Sequence, residues 1–79
     1  MIVLVVMFAL RNRIKDLRED ADLTQQQLAD QIGMTQRKYS YIETGTQPLT
    51  DEVLIKISNF YHVSIDYLLC QTNNPKRNE

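Results

Sequence analysis

The sequence has few of the residues from which metal and redox sites are built, with one cysteine and one histidine among its 79 residues. Cys70 has no second cysteine with which to form an internal disulfide, which fits a reducing cytoplasm. We interpret Cys70 as a half-buried thiol near the end of the last helix and His62 as a helix C-cap. Because no acid/base pair and no nucleophile beside a base is visible, we expect no metal, no cofactor and no enzymatic activity.

Long hydrophobic runs are also absent. The apolar run that opens the chain, MIVLVVMF at residues 1–8, is far short of the roughly twenty residues that a membrane span requires, so we expect no membrane association. No basic segment precedes it and no small-residue cleavage site follows, which argues against a secretory signal. Three interpretations stay open: an extension of the first helix, a strand that pairs across a dimer, or a start-site artefact with Met7 as the true beginning.

Glycine occurs only twice, and the first glycine lies where a short helix is predicted to end. The segment TQQQLADQIGMTQRKYSYIETG, residues 24–45, begins with Thr24, whose hydroxyl can cap the free amides of a helix start. Leu28 and Ile32 then recur at i, i+4 on one face. Gly33 can adopt the left-handed conformation that closes this helix and turns the chain sharply.

A second helix follows the turn. Thr35 caps it, Gly45 ends it, and Tyr39 and Ile42 occupy its inward positions. Its outward residues are polar, basic or aromatic: Gln36, Arg37, Ser40 and Tyr41. Two short helices joined at a glycine, the second with such groups facing outwards, are the layout of a helix-turn-helix that reads DNA.

The remaining apolar pattern predicts three further helices. The first runs from about Ala9 to Asp20 and turns Ile14, Leu17 and Ala21 to the core. After the loop at Pro48, Thr50 caps a helix whose apolar stripe we assign to the core: Val53, Leu54, Ile57, Phe60 and Tyr61. Ser64 caps a short last helix that contains Ile65, Leu68 and Leu69. The segment QTNNPKRNE, residues 71–79, has no periodicity and is predicted to be a solvated polar tail.

From Arg13 to about Leu69 the chain resembles the Cro/C1-type (XRE-like) helix-turn-helix family of phage repressors and small bacterial transcriptional regulators. The segments that carry the resemblance are RIKDLRED, LTQQQLADQIGMTQRKYSYIETG and LTDEVLIKISNFYHVSIDYLL. The resemblance implies an all-α fold, a compact bundle of five short helices like the lambda-repressor DNA-binding domain. Residues 9–70 would form this domain, between the apolar segment 1–8 and the polar tail 71–79.

The resemblance also implies which residues meet double-stranded DNA. The start of the recognition helix enters the major groove, where Gln36 can pair with adenine and Arg37 with guanine, and Tyr41 is a further candidate for base contact. Gln25 matches the family glutamine that supports the first residue of this helix. The remaining candidates for backbone contact or support are Thr24, Thr35, Lys38, Ser40 and the amides around Thr46.

Arg18 and Glu43 match family positions that form a semi-buried ion pair between the first helix and the end of the recognition helix. Such a pair would hold the recognition helix at its docking angle. The chain departs from the family in the loop after Gly45, since TQPLTDE has no lysine or arginine.

A net charge of −1 argues against DNA binding, because neutralised phosphates supply most of the nonspecific affinity. The charge distribution is more favourable, with basic residues on the first helix and at the start of the recognition helix: Arg11, Arg13, Lys15, Arg18, Arg37 and Lys38. We expect a cytoplasmic, homodimeric repressor without a small-molecule effector. The competing hypothesis is an antitoxin-like module that holds a partner protein, with DNA binding secondary.

Overall fold

A computed structural model describes residues 12–77 of the chain. Within that range the secondary structure consists of five α-helices and contains no strand: α1 Ile14–Asp20, α2 Gln25–Gln31, α3 Gln36–Thr44, α4 Asp51–Tyr61 and α5 Ile65–Leu68. The predicted all-α bundle of five short helices is confirmed. The three interpretations of the apolar segment 1–8 concern residues outside the described range.

Hydroxyl caps determine where four of the helices begin. The side chains of Thr24, Thr35, Thr50 and Ser64 each accept a hydrogen bond from the backbone amide three residues later, as predicted. At Thr24 the bond is reciprocated, because the Thr24 amide donates to Oε1 of Gln27 at 2.8 Å and completes a capping box.

Left-handed residues determine where the helices end. Gly33, at φ 73°, follows α2, and Gly45, at φ 81°, closes α3. His62 closes α4 at φ 60°, as the sequence predicted. A Cβ added at Gly33 would meet no atom within 4 Å, so the backbone conformation alone requires glycine there.

The core lies between the helices and fixes α2 against α3. Leu28 and Ala29 of α2 and Tyr39 of α3 are fully buried, and Ile42 is 4% exposed. The small side chain of Ala29 lets the two helices approach closely. The remaining buried apolar residues are Ile14, Ile32, Leu49, Leu54, Ile57, Val63 and Leu68.

Three predictions about the core and the first helix are wrong. Helix α1 begins at Ile14 rather than near Ala9, since Asn12 and Arg13 are not helical and the Asn12 side chain accepts a hydrogen bond from the Ile14 amide at 3.0 Å. Ala21 is exposed, because it follows the last turn of α1 instead of extending its apolar face. Phe60 is 38% exposed and packs edge-on against the ring of Tyr61.

Residues 71 and 73–76 are exposed, and the segment after α5 is also hydrogen-bonded to the rest of the domain. The Arg13 guanidinium donates to the carbonyl of Thr72 at 3.1 Å and to Oδ1 of Asn73 at 2.9 Å. The Ser64 amide donates to the carbonyl of Pro75 at 3.0 Å. These polar contacts leave no periodic signal in the sequence, so they could not be predicted. None of the helices in residues 12–77 has the length and apolar character needed to cross a membrane.

Candidate nucleic-acid interface

The outward surface of α3 carries the residues predicted to contact DNA. Arg37 and Lys38 are exposed in its first turn, and Tyr41 is 38% exposed one turn later. Gln36 and Ser40 are half-buried. The buried residues Tyr39 and Ile42 hold the opposite side of the helix in the core, so α3 presents a polar and basic edge to solvent.

Gln36 is oriented by a neighbour on the preceding helix. Its Nε2 donates to Oε1 of Gln25 at 2.7 Å, which joins the first residues of α2 and α3. Nε2 of Gln25 in turn donates to Oε1 of Glu43 at 3.0 Å. The structure therefore links Gln36, at the surface, to a carboxylate at the end of the same helix.

Glu43 is the centre of this polar cluster, and its side chain is only 3% exposed. Arg18 of α1 approaches it with both ends of its guanidinium, from Nε to Oε2 at 2.6 Å and from Nη2 to Oε1 at 3.1 Å. The Tyr39 hydroxyl also donates to Oε2. With the bond from Gln25, the carboxylate accepts four hydrogen bonds, which satisfies a charge that is otherwise costly to bury.

The protonation of the cluster follows from these bonds. Burial opposes the charge on Glu43, but the hydrogen bonds from Arg18, Tyr39 and Gln25 outweigh it and lower the pKa of the carboxyl. Burial, followed by the bond to Glu43, raises the pKa of Tyr39. The hydrogen bond to Glu43 raises the pKa of Arg18. At neutral pH the cluster is thus a carboxylate held by a guanidinium, a neutral phenol and an amide.

We expect the domain to lose stability in acid because of Glu43. A carboxyl whose pKa is lower in the folded than in the unfolded state stabilises the fold above the unfolded value, and this contribution disappears as the pH falls through the folded value. The loss should begin below about pH 4.5. Urea unfolding from pH 7 to pH 3 would measure it. Glu43→Gln should be less stable than the wild type at pH 7, with the difference shrinking in acid; a constant difference would contradict the assignment.

The groups predicted to contact the DNA backbone differ in whether they already have hydrogen-bond partners within the domain. The hydroxyls of Thr24 and Thr35 cap α2 and α3, and both residues are exposed. The amides of Thr46 and Gln47 both donate to the carbonyl of Tyr41, at 2.9 and 3.1 Å, so they are engaged in closing α3. The expected phosphate contact at Thr46 stays a prediction, and the Thr46 hydroxyl, 2.9 Å from that of Thr44, is a second polar group at this position.

The sequence prediction missed the polar role of Tyr39. It assigned Tyr39 to the core, where the ring is fully buried, but gave no partner to the hydroxyl. The signal was present, because Tyr39 and Glu43 are four residues apart on one helix and face each other. The sequence prediction also gave no structural role to Arg13, whose guanidinium lies over the ring of Tyr67, 4.3 Å from its centre.

Comparison with known proteins agrees with this geometry. Residues 14–68 match the family profile described as helix-turn-helix, and the chain belongs to this family. It is 41% identical over 63 residues to the uncharacterized HTH-type transcriptional regulator YqaE of Bacillus subtilis, an alignment that covers 80% of this chain and 54% of the relative. The resemblance to Cro/C1-type regulators is confirmed.

Two further relatives have more specific names. The HTH-type transcriptional regulator ImmR of Bacillus subtilis is 34% identical over 71 residues, which cover 90% of this chain and 56% of the relative. The cryptic phage CTXphi transcriptional repressor RstR of Vibrio cholerae is 38% identical over 58 residues, which cover 73% and 52%. The chain thus spans about half the length of the curated relatives it matches. No solved structure matches it significantly.

Proposed function

We propose that the chain is a sequence-specific DNA-binding transcriptional regulator that reads the major groove with α3. The observation that carries the proposal is the hydrogen bond between Gln25 and Gln36, which holds a base-reading side chain at the exposed start of that helix. The names of the relatives, transcriptional regulators and a phage repressor, support the same function.

Each residue on this surface has a proposed role. Gln36 and Arg37 read base edges, and Tyr41 adds a contact one turn further along α3. Lys38 binds phosphate, and Thr24, Thr35, Ser40 and the hydroxyl of Thr46 position the domain on the backbone. Gln25 supports Gln36, while the pair Arg18 and Glu43 fixes the docking angle of α3.

We further propose a cytoplasmic homodimeric repressor without a small-molecule effector. Two copies would place their recognition helices in successive major grooves, about 34 Å apart. The net charge of −1 supports dimerisation, because a single weakly charged domain would bind DNA with only moderate affinity. Light scattering at high micromolar concentration without DNA should give the dimer mass, and a monomer mass would contradict this part of the proposal.

Arg37 and Lys38 are expected to differ in what their loss does to DNA binding. Arg37→Ala should cost about 1–3 kcal/mol on the specific site and relax the preference at one base pair. Lys38→Ala should weaken binding to all sequences alike and lower the salt slope by about one per subunit. The measurement is a fluorescence titration at several salt concentrations, on a site selected from a random DNA pool.

Lys76→Ala is the matched control, since Lys76 is an exposed lysine after α5, between Pro75 and Arg77, which bond to Ser64 and Asn59. It should leave affinity on the selected site almost unchanged. If Arg37→Ala and Lys38→Ala behave like this control, α3 is not the reading element. An antitoxin-like module that binds a partner protein would then replace the proposed function.

A further inference from the structure

Two cavities along α4 form one groove. The first, of about 510 Å³, lies between α4 and the end of α2. The second, of about 250 Å³, lies between α4, the turn after α2 and the loop that joins α3 to α4. Gly33 and Lys56 line both cavities, so the two are continuous. We call this surface the α4 groove.

The floor of the α4 groove is apolar and partly open to solvent. Phe60, at one end, is 38% exposed. Met34 and Val53, at the other end, are half-buried. Ile32 and Ile42 lie deeper in the groove and are buried. A surface of this kind is stabilised when another apolar group covers it and removes it from water.

The rim of the α4 groove carries charges that cancel. Two lysines, Lys38 and Lys56, are matched in number by two acids, Asp30 and Glu52, and all four side chains are exposed. A rim of one sign would favour a partner of the opposite sign. This rim favours neither an acidic nor a basic partner, so the groove fits an apolar occupant without charged side chains.

The chain itself contains a segment of that chemistry. Residues 1–8, MIVLVVMF, lie outside the described range and are eight apolar residues in succession. The described part begins beside α5, where the Arg13 amide donates to the carbonyl of Leu68 at 2.9 Å. Residues 1–11 can span at most about 36 Å, against a longest dimension of 35 Å for the domain, so the α4 groove is within their reach.

We propose that residues 1–8 dock in the α4 groove of their own chain. The tether decides between the chain's own segment and that of another copy, because a segment joined by a short linker is present at an effective concentration of about millimolar. Docking would withhold an apolar run from association with other copies, which is otherwise an aggregation hazard. The inference goes beyond the proposed function, since the contact requires no DNA.

Disulfide trapping in the full-length chain tests the contact. The segment receives one cysteine at a time: Val3→Cys, Leu4→Cys or Val5→Cys. Each is combined with Gln31→Cys, at an exposed position that lines the groove, in a Cys70→Ser background that lacks the native thiol. Gln26→Cys is the matched control for Gln31→Cys, because Gln26 is an exposed glutamine of the same helix that lines neither cavity.

The rate and the mass of the cross-linked product decide the result. With mild oxidation, at least one of the three segment cysteines should bond within its own chain to position 31 about tenfold faster than to position 26. Circular dichroism would verify that the variants are folded. Equal rates for all three segment positions would overturn the proposal, and so would products that join two chains on a non-reducing gel.

A charge in the segment provides a second measurement that needs no cysteine. Leu4→Asp should displace the segment, because a carboxylate is costly to place on an apolar floor. Leu4→Ile keeps an apolar side chain and is the matched control. In ¹⁵N-labelled protein, the backbone amide resonances of Gly33 and Phe60 should move in Leu4→Asp and stay nearly unchanged in Leu4→Ile. Identical spectra of the two variants at these residues would contradict docking in the groove.

Dilution separates docking within one chain from exchange between copies. The groove resonances of the wild type should keep their positions over about a hundredfold range of protein concentration, since a tethered contact does not depend on concentration. Movement on dilution that is absent from Leu4→Asp would show that a second copy supplies the segment, and would overturn the proposal. Because no DNA is present, these outcomes are independent of whether the chain binds DNA.

Discussion

Replacing Arg18 by alanine is expected to lower the free energy of unfolding by about 3–5 kcal/mol. The substitution removes the only full positive charge that contacts the buried Glu43 carboxylate among residues 12–77. The neutral tyrosine and glutamine donors that remain cannot replace a charged guanidinium that donates two hydrogen bonds. Because a domain of this size has only about 5 kcal/mol of stability in total, the variant should be largely unfolded at 25 °C.

Urea unfolding in the presence of a stabilising osmolyte, followed by circular dichroism, would measure the loss. The control is Lys56→Ala, which removes the 3.3 Å pair with Glu52 on the surface of α4. Both side chains of that pair are well exposed, so its loss should cost less than about 0.5 kcal/mol. If Arg18→Ala and Lys56→Ala lower the free energy of unfolding equally, the burial of Glu43 does not make its ion pair with Arg18 more stabilising than the surface pair.

The helix limits could be predicted where the signal is local. Each hydroxyl cap bonds to an amide three residues away, so Thr24, Thr35, Thr50 and Ser64 mark helix starts from the sequence alone. Helix α1 has no such cap, since Arg13 at its N-cap makes no side-chain capping bond. No hydroxyl residue marks its start in the sequence, and the predicted start near Ala9 was too early.

The error at Phe60 has a geometric cause. Successive residues of a helix are rotated by about 100°, so Phe60 lies about 60° to one side of Ile57, while Leu54 and Ser58 lie on the other side. The core takes that other side, and Ser58 is 4% exposed. Its hydroxyl donates to the carbonyl of Val63 at 2.5 Å, beyond the end of α4. A pattern of apolar residues places Phe60 on the buried face of α4. It does not indicate that Ser58 is buried instead, because the hydrogen bond from Ser58 to the Val63 carbonyl cannot be read from the sequence.

Some features of the candidate site follow from local sequence patterns, and others depend on contacts between residues far apart in the sequence. That Gln36, Arg37 and Lys38 face outwards follows from the helical period of α3, once Tyr39 and Ile42 are placed in the core. The approach of Arg18 to Glu43 across 25 residues depends on how α1 packs on α3, and only the family resemblance pointed to it. The four hydrogen bonds that Glu43 accepts come from residues of α1, α2 and α3, and this arrangement was not predicted.

Tyr39→Ala is expected to lower the free energy of unfolding by about 3–5 kcal/mol, and Tyr39→Phe by about 1.5 kcal/mol. Alanine leaves a cavity where a fully buried ring stood and also removes the hydroxyl that donates to Glu43. Phenylalanine keeps the ring, so its smaller loss measures the hydrogen bond to a charged acceptor that retains its other three donors.

The two contributions can be separated by pH. The Tyr39 hydroxyl is one of the groups that lower the pKa of Glu43, so Tyr39→Phe should raise that pKa and move the acid loss of stability to higher pH than in the wild type. Urea unfolding of both proteins between pH 7 and pH 3 would detect the displacement. If Tyr39→Phe is as stable as the wild type and shows the same acid profile, the hydroxyl contributes nothing to holding Glu43. The buried ring alone would then account for the tyrosine at this position.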